Sequence, residues 1–152
     1  MNDARPDKAH AVGINHVALE VGDIREALAF YGRFLSFTVE EVTDEMAIVY
    51  FGDQFINFIR NPDRRPDTMR HFGIAVDDKP LARRTLEAMG VPLLDSRFLD
   101  FLDPWGNRVE ITTYTNIQFT KADHVLRGMG LGHLAKSDEA VAELRAKGMG
   151  PS

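Results

Sequence analysis

The feature that most constrains this chain is that it is written twice. Ile14-Asn15-His16-Val17-Ala18-Leu19-Glu20-Val21, with Asp23 close behind, resembles Met69-Arg70-His71-Phe72-Gly73-Ile74-Ala75-Val76, with Asp77 behind it. Such a repeat implies one supersecondary unit used twice, with the core completed where the copies meet. Each segment alternates in character. Val17, Leu19 and Val21 oppose His16, Ala18 and Glu20, and Phe72, Ile74 and Val76 oppose His71, Gly73 and Ala75. A period of two predicts half-buried strands. Equal parity then puts both histidines on the less apolar face of a sheet.

After each strand the pattern turns helical, over Ile24 to Phe34 and Pro80 to Met89. Asp23 and Asp78 are placed to cap the first turns, Pro80 suits a first-turn position and Gly90 suits the stop. Leu28, Tyr31 and Leu35 supply one apolar stripe; Leu81, Leu86 and Met89 supply the other. Short strands follow: Thr38–Glu41, Met46–Phe51 and Phe55–Arg60 in the first copy, Pro92–Asp95, Phe98–Leu102 and Arg108–Tyr114 in the second. Gly52-Asp53-Gln54 and Asp103-Pro104-Trp105-Gly106-Asn107 have turn chemistry. The reading is α+β: two tandem βαβββ modules over 13–60 and 69–115, joined by a Pro-, Arg- and Asp-rich linker at 61–68. A flexible tail at 1–12 precedes them. A helical extension at 116–152 follows, with helices over Lys121–Arg127 and Asp138–Lys147, and its role is packing, covering a dimer contact or closing a cavity.

Composition narrows the function. The chain has 152 residues, enough for one ordinary domain or two small modules sharing a core. A hydrophobic content of 44% excludes disorder for its bulk. A net charge of −5 without a basic run offers little to nucleic acid or anionic lipid, so neither is expected as a partner. No apolar run approaches the roughly 18–20 residues of a membrane span, and the polar start lacks the apolar stretch of a signal peptide. A cytoplasmic location is expected. The absence of cysteine excludes disulfides, a cysteine zinc site and a catalytic thiol. Any metal must be held by histidine and carboxylate.

Such a set exists. In the last strand Val109, Ile111 and Thr113 alternate with Arg108, Glu110, Thr112 and Tyr114, so Glu110 shares the polar face. A carboxylate there needs a partner, because burying it unpaired is costly. His16, His71 and Glu110 together would make a 2-His-1-carboxylate metal site with open coordination positions. The first-copy counterpart of Glu110 is Asn57, flanked by Ile56 and Phe58, and an amide is a poor ligand for a transition metal.

Paired βαβββ modules with a histidine on each first strand and Asp103-Pro104-Trp105-Gly106-Asn107-Arg108-Val109-Glu110 in the second resemble the vicinal oxygen chelate superfamily. That superfamily includes glyoxalase I, extradiol dioxygenases, fosfomycin-modifying transferases and bleomycin-resistance binding proteins. The resemblance covers Gly13 to Tyr114. It implies a cupped mixed sheet around a divalent ion (Fe2+, Mn2+, Zn2+ or Ni2+) that chelates two neighbouring oxygens of a small-molecule substrate. His16, His71 and Glu110 fall on the ligand positions. Asn57 falls where glyoxalase I carries a fourth, carboxylate ligand, which turns the reading away from that enzyme and toward the three-ligand members. The implied function is a metal-dependent ring-cleaving dioxygenase or glyoxalase-like lyase or isomerase. The alternative is a non-catalytic binding protein of the bleomycin-resistance type, against which the intact ligand set argues.

Other polar residues carry weaker expectations. Tyr50, Tyr114, His124 and His133 are the candidate acid/base groups, with Tyr114 placed by parity beside Glu110. Thr112 and Arg108 share that parity, and Glu20 shares the parity of His16. Phe55 and Ile59 form an apolar wall or core beside Asn57. Arg60, Arg64, Arg65 and Arg70 are the only candidates for a phosphonate pocket. His10 reads as tail, His124 and His133 as helix surface and Trp105 as turn packing. Exposed strand edges predict a symmetric homodimer, and the resemblance allows His16 to come from one subunit and His71 with Glu110 from the other.

Overall fold

A computed structural model describes residues 14–152, so the expected tail, with His10, lies outside the described residues. The first module contains β1 (His16–Val21), α1 (Ile24–Gly32), β2 (Thr38–Glu40), β3 (Met46–Phe51) and β4 (Gln54–Arg60). The second contains β5 (Phe72–Val76), α2 (Lys79–Ala88), β6 (Leu99–Leu102) and β7 (Arg108–Thr113). A 3-10 turn at Tyr114–Asn116 leads into α3 (Asp123–Gly128) and α4 (Asp138–Ala146).

The α+β class holds, built on two small mixed sheets of order β1-β4-β3-β2 and β5-β7-β6. In each, the first strand pairs in parallel with the last, which pairs antiparallel with the strand before it. Both helices start as expected. Asp23 accepts from the Glu26 N–H at 2.8 Å and Asp78 from the Leu81 N–H at 2.9 Å, each satisfying an orphan donor of a first turn.

The second module departs from the expected pattern at Pro92–Asp95. Instead of a strand there is a single bridge between Leu93 and Phe101. Pro92 has no N–H to give a ladder, and the Ser96 N–H folds back onto the Leu94 carbonyl, curling the segment away. The Leu81 side of the expected stripe also fails: Leu81 is exposed, and Ala82 and Leu86 face inward. His71 stands just ahead of β5 rather than within it, and His133 lies in a turn rather than a helix.

The two modules bury their apolar faces against one another. Leu19, Val21, Tyr31 and Phe58 of the first belong to one cluster with Leu86, Phe101, Val109 and Ile111 of the second. Phe30 and Phe34 both pack on Phe101. Polar contacts complete the seam. The buried Tyr31 hydroxyl donates to Asp103 at 2.7 Å, and burial followed by that carboxylate pushes its pKa well up. Asn107 donates to the Glu20 carbonyl at 2.9 Å, and Trp105 lies against Gly22, where a side chain would collide with it. The Arg64 side chain, 3% exposed, donates to the carbonyls of Trp105 and Gly106 and pairs with Asp67 at 3.2 Å. That linker arginine is a strut, not a surface charge. Packing the apolar faces inward turns the faces bearing His16 and Glu110 outward. Among the described residues, no helix is long and apolar enough to cross a membrane.

Candidate metal and ligand site

The polar faces of the two modules carry matched ladder positions. In the second, Glu110 sits between Gly73 of β5 and Asp100 of β6. His71 Nε2 lies 3.9 Å from Glu110 Oε2, while its Nδ1 is 2.9 Å from the Met69 carbonyl. A carbonyl only accepts, so Nδ1 is the donor in that contact and Nε2 is the ring nitrogen turned toward the carboxylate. A backbone carbonyl held by one ring nitrogen fixes the ring's orientation, as it does for imidazoles that bind metal through the other nitrogen. Two donors at about 2.0–2.2 Å from a common ion can stand up to about 4 Å apart. His71 and Glu110 meet that condition.

Asp100, which sequence reasoning overlooked, stabilises this face. It is buried, and that burial pushes its pKa up. Hydrogen bonds from Ser96 and Arg108 and the Arg108 charge outweigh it, leaving Asp100 below the ordinary carboxylate value. Arg108 approaches Asp100 at 2.6 Å and donates to the Thr68 carbonyl at 2.8 Å, tying β7 to the segment that leads into His71. The only sequence signal was a second acid at strand parity, Asp100 across from Glu110.

In the first module Asn57 sits between Ala18 and Ile48. Its Oδ1 is buried without a hydrogen-bond partner. His16 is exposed and stacks on Phe55 with ring centroids 4.7 Å apart, and its Nδ1 is 2.7 Å from Asn15 Oδ1. As an acceptor, that oxygen makes Nδ1 the donor of the contact. His16 and His71 line the same cavity. Even so, among the described residues no three His, Cys, Asp or Glu side chains stand close enough to hold a metal ion. One chain brings together two of the three expected ligands and leaves His16 apart.

The remaining candidates find other partners. The buried Tyr114 hydroxyl accepts from the Lys121 N–H at 3.0 Å, and the Lys136 ammonium lies 3.5 Å over its ring. Burial lowers Lys136 to about 8. Tyr50 packs on Phe55, and His124 is exposed. Glu20 lies 4.0 Å from Arg64, and Ile59 is exposed. Arg60 pairs with Glu45, and Arg70 with Asp67. With Arg64 committed to the linker, no arginine among the described residues lines the cavity.

The Glyoxalase/Bleomycin resistance protein/Dioxygenase superfamily model matches residues 13–111. The chain belongs to that superfamily. Solved structures agree on the fold. Lactoylglutathione lyase from Agrobacterium tumefaciens is 21% identical with a TM-score of 0.55, over 68% of this chain and 95% of its own. The fosfomycin resistance protein FosX from Listeria monocytogenes, solved with Mn(II) and sulfate, is 17% identical with a TM-score of 0.58, over 70% and 95%. The bleomycin resistance determinant encoded on transposon Tn5 is 18% identical with a TM-score of 0.54, over 67% and 98%. No curated protein sequence matches the chain. Neighbours with such different names show a shared fold and leave the reaction to the site itself.

Proposed function

We propose that this superfamily member is a divalent-metal-dependent enzyme acting on a small oxygen-chelating substrate. His71 and Glu110 of one chain and His16 of a second copy would serve as its ligands. The observation that carries the reading is the His71–Glu110 pair at 3.9 Å, with the far nitrogen of His71 occupied by the Met69 carbonyl. Bound there, Fe2+, Mn2+, Zn2+ or Ni2+ would supply Lewis-acid polarisation of substrate oxygens. Glu110 contributes the only negative charge of the set. Arg108 and Asp100 hold β7 and the His71 approach in register. His16, steadied by Phe55 and Asn15, is presented on an exposed face for a partner to meet.

Asn57 bears on the reaction class. An amide neither ionises nor takes a proton near neutral pH, so the fourth-carboxylate chemistry of glyoxalase I has no group here. Methylglyoxal–glutathione isomerisation is expected to be negligible. A ring-cleaving dioxygenase or another lyase fits the three-ligand set better. The separation of His16 from the pair within one chain favours a second reading, a non-catalytic protein that sequesters a small molecule.

Elemental analysis of purified protein, with Mn(II) titration of the apo form, separates the two. One ion per chain in a dimer is the expected result. Metal-free protein that takes up no Mn(II), Fe(II), Zn(II) or Ni(II) would leave the binding-protein reading standing. Robust isomerase turnover, at about 1–1000 per second, would show that Asn57 has been assigned the wrong role.

A further inference from the structure

The superfamily match ends at residue 111, yet the chain continues through two more helices. That extension is pinned to the first module and to its own start. Lys121, buried, pairs with Asp53 in the β3–β4 turn. Met129 covers Gly52 of the same turn, where positive φ and the absence of a side chain both matter. At the other end, Tyr114 bonds the Lys121 N–H, and Lys136 donates to the Tyr114 carbonyl at 2.6 Å.

Between these pins lies a cavity of about 540 Å³. One wall is β5, and a second is the start of β1 and β4, with His16 and Phe55. The third belongs to the extension and is apolar: Ile117, Phe119, Leu126, Met129, Leu131 and Leu134. None of these six belongs to the shared core, so the extension spends its apolar side chains on the cavity. His16, His71 and Thr112 are among the cavity's polar lining groups. Among the described residues that line it, the one ammonium, Lys121, is neutralised by Asp53, and the one carboxylate is Asp77.

We infer that the extension forms a substrate-selecting chamber, which takes an uncharged aromatic or branched aliphatic body and points the substrate's oxygens toward His71. The volume lies within the range of small-ligand pockets, about 300–1000 Å³, and such pockets pair apolar walls with a few polar groups. Among the described residues the apolar wall offers no unpaired lysine or arginine to replace the water of a phosphonate or of the dicarboxylate body of glutathione, so in the metal-free protein both are disfavoured. The orientation toward His71 rests on the metal-site reading; the chamber itself does not.

The test is fluorescence titration of the full-length, metal-free protein with 2-naphthol, compared with glutathione and fosfomycin followed calorimetrically. The expected result is one 2-naphthol per chain and no heat from the two anions. Leu131→Glu and Leu134→Glu, each placing a charge on the partly exposed wall, should weaken 2-naphthol at least tenfold while leaving thermal melting and Mn(II) uptake unchanged. Leu131→Met, which keeps the wall apolar, should bind within a few-fold of wild type. Absent 2-naphthol binding, or binding that ignores both glutamates, would overturn the chamber. Affinity that falls as protein concentration drives dimerisation would also overturn it, showing that a second copy fills the space. Failure of Mn(II) uptake with 2-naphthol binding intact would sink the metal reading and leave the chamber. Mn(II) uptake without 2-naphthol binding would do the reverse.

Discussion

The same ladder position is filled in opposite ways by the two modules. In the first it reads Ala18-Asn57-Ile48, with Phe55 two residues before the amide; in the second it reads Gly73-Glu110-Asp100, with Arg108 in the corresponding place. One ladder is neutral and offers an imidazole stacked on a ring. The other is charged, with Arg108 balancing Asp100 so that Glu110 remains to face His71. Duplication supplied two equivalent frames, and only the second holds a carboxylate where a cation could be gripped.

The largest test of that division is Glu110→Gln, which keeps shape and removes charge. Mn(II) affinity should fall by about 100-fold or more, since a unit charge in contact with a divalent ion is worth several kcal/mol even when partly solvated. Titration calorimetry checks this, and metal binding unaffected by the change would dissolve the distinction between the ladders.

Next comes the question of which chain supplies His16. Chains carrying His16→Ala and chains carrying Glu110→Gln should each fail to bind metal alone. When they are mixed and allowed to exchange subunits, each mixed dimer should regain one ion, because one of its two sites receives every native ligand. No recovery in verified mixed dimers would place all three ligands in a single chain.

Asp100→Asn probes the charged ladder's stability. It should cost about 1–3 kcal/mol, the penalty for disrupting a buried charged hydrogen-bond group. Because folding holds Asp100 below 3.8, its contribution is complete above that value and is lost as pH falls through the lower folded one. Acid unfolding followed by circular dichroism should therefore show wild type more stable than the variant near neutral pH and losing that advantage as pH falls below 3.8, so that the two stabilities converge in acid. Parallel profiles would show that Asp100 is not a source of the acid sensitivity.

The smallest effect is expected at Asn57→Leu. Removing a buried oxygen without a partner should stabilise the isolated chain by about 1 kcal/mol, or about 2–4 °C in melting temperature for a chain of this size. A loss of stability instead would mean that the amide already has a partner in solution, through water or a second copy.

Legibility followed interaction range. The β1 and β5 segments were readable because alternation is local, and the caps at Asp23 and Asp78 because a side chain three residues from its donor is local too. The expected strand at Pro92–Asp95 failed because only Leu93 and Leu94 suit a strand, Pro92 has no N–H to give, and the segment's hydrogen bonds go to Asp100 and back onto itself. His16, His71 and Glu110 could be nominated from repeat parity. That one chain unites only two of them depends on which faces the modules bury, a choice made by Phe30, Phe34 and Phe101 acting across the molecule. The structural roles of Arg64, weighed only for a phosphonate pocket, and of Asp100, not singled out at all, were hidden because their partners are distant or across a strand. The extension's pairing of Lys121 with Asp53 had no sequence signal at all.

The seam between the modules also sets a timetable for synthesis. Tyr31 waits for Asp103, and the β1 carbonyl at Glu20 waits for Asn107, 72 and 87 positions later. At about 5–20 residues per second, the first of those waits lasts about 4–14 s. Throughout it the apolar face of the nascent first module stays uncovered and β1 has a free edge. A chain built from two similar halves has a hazard in that interval, since the nearest complementary surface belongs to the neighbour on the same message. Its solubility during expression is therefore governed by how quickly the turn at 103–107 is delivered.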